Sequence, residues 1–310
     1  MPDNFKILIA YDGSECGTAA LDDLKRAGLP EQTEAVILSV ADVWEEPEAF
    51  NQLASPERSP SPTELDAIHS YVAAAIKESQ ALAEKGAELV KAGFPSWTVR
   101  AESRSGFPAW EIIELSDEWK PDLIVVGSQG RTAIGRAVLG SVSQKVLHEA
   151  KCSVRIARER VSEEDSPPRI LIAFDGSEFA ESAVKAVASR EWPAGTEFRI
   201  ITADDDPGSR PEVGLIDYIP EDRPETAAAK EWIGKVVENP ARILRSSGIE
   251  SSQFIRWGDA RRIVLYEANE WKADSIFMGA RGLGRFKRFL LGSVSSTVAA
   301  KARCSVEIIR

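Results

Sequence analysis

Two glycine-rich segments hold the residues whose types and spacing are best suited to chemistry. The first is GSQGRTAIGRAVLGS (127–141), and the second is GARGLGRFKRFLLGS (279–293). Both fit the pattern G-x2-G-x9-G-S, and both follow an apolar segment typical of a strand. Glycine lets the backbone approach a ligand closely, and free N–H groups at a helix start favour an anion. The pattern indicates a phosphate cradle. The alternative is that the glycines only end a strand and the serines cap a helix.

Other chemical motifs are not found. There is no GxxxxGK[ST] loop, and the position after the first strand holds YDGSE or FDGSE rather than the dinucleotide-binding GxGxxG. The two histidines, His69 and His148, fall in amphipathic helical patterns, and no Ser, His and Asp grouping or metal-ligand spacing accompanies them. No catalytic residue and no protein-built metal site is therefore predicted. Any enzymatic activity is expected to be weak at most.

Composition and charge limit the partners. The chain has 310 residues, 43% of them apolar and 28% charged, with a net charge of -11. This balance is typical of a globular protein and gives no general attraction to nucleic acid or an anionic membrane. No apolar stretch approaches the roughly 18 to 20 residues of a membrane helix, and the first residues lack a signal-peptide layout. Three cysteines form no CxxC pair. A cytoplasmic protein is expected.

The chain is an internal duplication. KILIAYDGSE begins at Lys6 and RILIAFDGSE at Arg169, while Cys152 and Cys304 sit in matching CSV segments near the end of each copy. The first copy is longer in its middle, where a Pro-, Ser- and Glu-rich stretch (45–65) is typical of a loop. We expect two domains, 1–160 and 169–310, joined by a linker at 161–168.

Within each copy, strand-like and helical patterns alternate. Strands such as LIVVG and SIFMG are apolar on both faces, as expected when helices cover both sides of a parallel sheet. The alternation predicts an α/β fold: two doubly wound, Rossmann-like five-stranded parallel sheets in tandem. In such sheets ligands bind beyond the carboxyl ends of the strands. That is where the glycine-rich segments would lie.

The glycine spacing, an Asp directly after the first strand, the lead-in PDLIVVGSQG and the terminal CSV strand together resemble the universal stress protein family in its tandem form. The resemblance covers about residues 5–158 and 168–310. It implies strand order 3-2-1-4-5 in each repeat, with ATP between the ends of the first and fourth strands. It also implies pairing through the fifth strands, either within the chain as a pseudo-dimer or between two chains as a homodimer. The family usually has Cys-Pro-Val where this chain has CSV. That departure affects strand pairing more than ligand binding.

Carried over residue by residue, the resemblance predicts two nucleotide sites. Asp12 and Asp175 would lie beside the nucleotide, with Val40, Val126 and Met278 on the adenine side. The glycines and the residues that follow them would meet the ribose and phosphates: Gly127, Gly130, Gly140, Ser141, Val142 and Ser143 in the first repeat, and Gly279, Gly282, Gly292, Ser293, Val294 and Ser295 in the second. Mg²⁺ would be carried on the phosphates without a protein cage.

Three classes of function remain open at this point. The leading hypothesis is an ATP-binding stress-response or regulatory protein that acts on an unidentified protein partner. The second is a slow ATPase or phosphotransfer enzyme, and the third is an interaction module that has lost its nucleotide. A phosphate cradle by itself does not distinguish ATP from ADP or AMP.

Overall fold

The computed structural model describes residues 4–43, 61–130, 139–160, 166–204, 238–282 and 291–310. Over these ranges ten strands and eight α-helices form. The 45–65 loop, the linker and the centres of both glycine-rich segments lie wholly or largely outside the described residues.

The first repeat supplies five strands and four of the helices. In chain order these are β1 (Phe5–Ala10), α1 (Glu15–Asp23), β2 (Thr33–Ala41), α2 (Pro62–Gly93), β3 (Thr98–Ser105), α3 (Pro108–Trp119), β4 (Leu123–Gly127), α4 (Ser141–Glu149) and β5 (Ser153–Ala157). The second repeat supplies β6 (Arg169–Ala173), α5 (Glu178–Ala188), β7 (Glu197–Asp204), α6 (Asn239–Ser246), β8 (Ser252–Trp257), α7 (Ala260–Glu270), β9 (Ser275–Gly279), α8 (Ser293–Lys301) and β10 (Ser305–Ile309).

All ten strands belong to one sheet, in the order β3-β2-β1-β4-β5-β10-β9-β6-β7-β8. Each half has the order 3-2-1-4-5, and the strand pairs within each half are parallel. The predicted α/β fold class is therefore confirmed. At the centre, β5 and β10 pair antiparallel, so the fifth strands of the two repeats join within one chain.

The strands bury apolar side chains on both faces, as their sequences predict. On β1, Leu8 faces one core, while Ile7 and Ile9 face another. The core on the Leu8 side is continuous across both repeats, with helices α3, α4, α7 and α8 packed on it. On the opposite face each repeat has a separate core, one under α1 and α2 and the other under α5 and α6. No helix in the described part of the chain has the length and hydropathy needed to span a membrane.

The two repeats also meet at the turns that follow α1 and α5. Gly28 has a φ of +62°, and a Cβ placed on it would lie 2.7 Å from the indole of Trp192. The backbone N–H of Glu191 donates to the Gly28 carbonyl at 3.0 Å. The first repeat therefore needs glycine here both for its backbone conformation and for the close approach of the second repeat.

We predict that Gly28→Ala lowers the free energy of unfolding by about 2 kcal/mol or more, because it adds left-handed strain and an overpacked contact. Urea unfolding followed by circular dichroism measures this change. Gly93→Ala is the matched control: its Cβ would find Lys25 Cε at 3.7 Å, and its effect should stay within about 0.5 kcal/mol. Equal effects from the two substitutions would contradict the prediction.

Candidate functional site

The topology brings the predicted site residues of each repeat to one edge of the sheet. Strand β1 lies beside β4, and β6 lies beside β9. Asp12 comes two residues after β1, and Gly127 is the last residue of β4. Asp175 and Gly279 hold the same places in the second repeat. Because parallel strands end at the same edge, each Asp meets the start of a glycine-rich segment.

Each Asp is held by the turn that leads into the next helix. Asp12 Oδ1 accepts hydrogen bonds from the backbone N–H of Ser14 at 3.0 Å and from its hydroxyl at 2.6 Å. The Ser14 hydroxyl in turn accepts from the N–H of Gly17 and caps α1. In the second repeat, Asp175 Oδ1 accepts from the Ser177 N–H at 3.0 Å, and Ser177 caps α5. The carboxylate orientation is thus set by the helix cap.

The second carboxylate oxygen of each Asp faces the glycine-rich segment. A Cβ on Gly130 would lie 3.3 Å from Asp12 Oδ2, and a Cβ on Gly282 would overlap Asp175 Oδ2. The first glycines are equally confined, since a Cβ on Gly127 would lie 3.1 Å from the Cys16 carbonyl oxygen. The first glycine of each segment thus lies against the backbone of a helix start, and the second lies against the end of the Asp side chain, so glycine allows the segment to approach both closely.

The far end of each segment returns to the same strand end. The N–H of Gly140 donates to the Ser128 carbonyl at 2.9 Å, and that of Gly292 donates to the Ala280 carbonyl at 2.8 Å. These glycines cap α4 and α8 without a side-chain hydrogen bond. The first N–H groups of a helix have no intrahelical acceptor. Both helix starts therefore suit an anion such as a phosphate.

The serines of the two GSVS sequences divide into exposed and buried positions. Ser141 and Ser293, at the first positions of α4 and α8, are exposed. Ser143 is buried and its hydroxyl donates to the Gly127 carbonyl at 2.6 Å. Ser295 is buried and donates to the Ala280 carbonyl at 2.9 Å. In this structure the buried pair holds the glycine-rich segment in place.

The candidate apolar contacts differ in accessibility. Val126 and Met278 are 2% and 5% exposed, and both side chains belong to the core shared by the repeats. Val40, Val142 and Val294 are only partly buried against that core. Val40 therefore presents more surface at the site edge than Val126 or Met278. In the described residues, no group of three or more His, Cys, Asp or Glu side chains is placed to hold a metal ion.

Family comparison accords with this geometry. The family model described as "Universal stress protein family" matches residues 4–158 and 168–310. The chain belongs to the universal stress protein family. A universal stress protein of Mycolicibacterium smegmatis is 29% identical over 215 residues, which is 69% of each chain. The crystal structure of a universal stress protein from Archaeoglobus fulgidus shares the fold with a TM-score of 0.65 at 22% identity, over 98% of both chains.

Neither Ser14 nor Ser177 is among the site residues that the sequence predicts. In this universal stress protein both residues orient the Asp carboxylates, and the Ser177 hydroxyl also donates to the Arg281 carbonyl at 3.3 Å. The repeated DGSE sequence was the available signal. Its meaning depends on the glycine-rich segment, which lies more than 100 residues further along the chain.

Removing the buried hydroxyl of Ser143 should weaken the fold around the first glycine-rich segment. Ser143→Ala leaves the Gly127 carbonyl without this donor, so we expect a loss of about 1–3 kcal/mol in the free energy of unfolding. Ser141→Ala, at an exposed position on the same helix, should change it by less than about 0.5 kcal/mol. Chemical denaturation of both variants measures the difference. A Ser143→Ala protein as stable as Ser141→Ala would refute the role given to the hydroxyl.

The cysteines of this stress protein should differ in reactivity. Burial raises the pKa of the Cys152 thiol to about 11 and that of Cys304 to about 12. Because the thiolate is the reactive form, both thiols stay protonated at pH 8. Cys16 and Cys152 are both partly buried, but Cys152 is held as the thiol, so we expect Cys16 to be labelled first by iodoacetamide, as measured by peptide mass spectrometry. Labelling of Cys304 in the folded protein as fast as in urea would contradict this expectation.

Proposed function

We propose that this protein binds one ATP-type nucleotide in each repeat and acts as a stress-response or regulatory protein. One observation carries the proposal. In both repeats an Asp carboxylate lies against the second glycine of a segment that ends at a glycine-capped helix. A hydrogen-bond acceptor and a helix start suited to a phosphate thus come together twice at the carboxyl edge of the sheet.

The residues present fit such a ligand. Asp12 and Asp175 would accept hydrogen bonds from it, and Val40 offers a partly exposed apolar contact for the base. The starts of α4 and α8 would take the phosphates. The proposed nucleotide-binding set is the one that the family resemblance predicts: Asp12, Val40, Val126, Gly127, Gly130, Gly140, Ser141, Val142, Ser143, Asp175, Met278, Gly279, Gly282, Gly292, Ser293, Val294 and Ser295. Within it, Ser143 and Ser295 would act by positioning the backbone.

Magnesium enters this proposal as part of the ligand. Mg²⁺ commonly keeps several waters and binds through the phosphates of a nucleotide, which accords with the lack of a carboxylate cluster among the described residues. When bound, it would neutralise phosphate charge. The chain's own contribution is to bind and orient the nucleotide.

The proposed setting is the cytoplasm. The three cysteines are all free thiols in the structure, as suits a reducing compartment. We propose two domains, 1–160 and 169–310, that remain paired as an intramolecular pseudo-dimer while nucleotide binding alters the affinity for a protein partner.

The first test is denaturing extraction of the freshly purified protein, with the released nucleotide identified and counted by chromatography. One nucleotide per repeat is expected, either retained through purification or regained on incubation with ATP and Mg²⁺. A protein that releases no nucleotide and binds none in equilibrium dialysis would overturn the proposal and favour the nucleotide-free interaction module.

Site variants then separate the two repeats. Asn retains an oxygen that can accept from the Ser14 or Ser177 turn but removes the carboxylate charge. We expect Asp12→Asn and Asp175→Asn each to weaken one of two binding events about 10-fold or more, equivalent to about 1.4 kcal/mol, as measured by titration calorimetry. The control is Asp22→Asn, which breaks an exposed pair with Lys25. Two unchanged binding events in the double Asp variant would reject these site assignments.

A further inference from the structure

A buried ion pair lies at the centre of the junction between the repeats. Arg155 on β5 and Glu307 on β10 are both 0% exposed, and they are directly opposite each other in the antiparallel ladder. Arg155 Nη1 donates to Glu307 Oε2 at 3.2 Å. Ionic groups at such depth must be paired, because an unpaired buried charge is strongly destabilising.

These two residues occupy the same position of the duplicated sequence. The matching CSV segments that begin at Cys152 and Cys304 place Arg155 and Glu307 in register. In the ladder, a pseudo-twofold axis therefore passes between them. A residue on a twofold axis meets its own equivalent. Pairing of two first repeats would bring arginine against arginine, and pairing of two second repeats would bring glutamate against glutamate.

Positions away from the axis behave differently. Arg158 and Arg310 are also equivalent, and both repeats keep arginine there. Arg158 donates to the Ala299 carbonyl at 2.5 Å, and Arg310 donates to the Leu147 carbonyl at 2.5 Å. Each arginine thus donates to a carbonyl near the C-terminal end of the last helix of the other repeat. Because Leu147 and Ala299 are themselves equivalent, this contact would form equally well between two copies of the same repeat and between a first and a second repeat.

The residues that surround Arg155 and Glu307 also differ between the two repeats. Asp23 of the first repeat binds Arg155 through two hydrogen bonds, at 2.6 and 3.0 Å. Arg190 of the second repeat binds Glu307. The cluster formed by these four residues has two positive and two negative charges. Arg155 also donates to the Ser275 hydroxyl of the second repeat at 2.7 Å, whereas the equivalent position in the first repeat is Leu123.

The turns that follow α1 and α5 carry side chains of complementary size. The Arg190 guanidinium donates to the Ala27 carbonyl at 2.6 Å, and Ala27 is the position equivalent to Arg190. The neighbouring Gly28 leaves room for Trp192. Two second repeats would therefore bring Arg190 against Arg190 in the same place.

From these contacts we infer that each repeat's fifth-strand surface is specific for the unlike repeat, so that a first repeat accepts a second repeat and rejects another first repeat. The bond between Arg155 and Glu307 forms only in the unlike pair, whereas in a like pair each axis residue would keep the counter-charge of its own repeat, Asp23 or Arg190, but would face a like charge across the ladder. The fifth-strand surface of the first repeat therefore fits a second repeat that has an acidic residue at the position of Glu307. Specificity of this kind leaves the backbone ladder unchanged and lies in side chains alone.

Charge reversal in the full-length chain tests the inference. In Arg155→Glu the four-residue cluster has a net charge of -2, and in Glu307→Arg it has +2. Each variant alone should therefore unfold at a lower urea concentration than Lys185→Glu, which reverses an exposed charge on α5. The exchanged double variant Arg155→Glu/Glu307→Arg returns the net charge of the cluster to zero, but it places a carboxylate beside Asp23 and a guanidinium beside Arg190, so we expect a partial recovery of stability. It should unfold at a higher urea concentration than either single variant.

Mixing the two single variants tests partner choice directly. After joint refolding, the second repeat of an Arg155→Glu chain and the first repeat of a Glu307→Arg chain rebuild the native junction, and the other two repeats form the exchanged one. We expect mixed two-chain species in native mass spectrometry, in excess of species formed by either variant alone. Two differently labelled wild-type chains are the control and should remain separate.

The outcomes are decisive even where a single variant does not fold alone. Recovery of folded protein only on mixing, or only in the exchanged double variant, would support selection by unlike charge. The inference is overturned if the single variants match Lys185→Glu in stability. It is also overturned if neither mixing nor the double exchange restores any of the stability or folded yield that the single variants lose.

Discussion

Antiparallel pairing of β5 with β10 is the interaction on which the rest of the molecule depends. It converts two five-stranded sheets into one and allows a single apolar core to run beneath α3, α4, α7 and α8. It also buries Arg155 and Glu307, which are tolerable in the interior because they pair with each other and with Asp23 and Arg190. Neither repeat would cover these strands without the other, so the duplication is an architectural requirement as well as a repetition of sites.

The junction and the candidate sites share two helices. Helix α4 begins at the glycine-rich segment of the first repeat, and near its end Arg310 of the second repeat donates to the Leu147 carbonyl. Helix α8 has the reciprocal arrangement with Arg158. Cations at a helix C-terminus complement the helix dipole and satisfy orphan carbonyls. Each helix that we propose to bind phosphate at its N-terminus is thus held near its C-terminus by an arginine of the other repeat.

Duplication has preserved some positions and altered others for physical reasons. The Asp, the confined glycines and the buried serines are the same in both repeats because each performs its contact inside one repeat. At the axis, equivalent positions meet each other, and there the repeats differ: Arg155 faces Glu307, and Ala27 lies against Arg190. At these two positions, identity would place like charges or two large side chains in the same space.

Much about this protein was determined by the sequence alone. The duplication, the alternation of strands and helices, and the G-x2-G-x9-G-S spacing follow from local pattern, and with the family resemblance they predicted the fold class and strand order. Tertiary structure decided what local pattern does not contain. The hydroxyl of Ser143 lies buried against the Gly127 carbonyl, a contact that the spacing does not reveal. Asp23 and Arg155, separated by 132 residues, become one buried ion pair. Such contacts depend on which strands become neighbours and which faces are covered, and that is settled only when the two repeats close on each other.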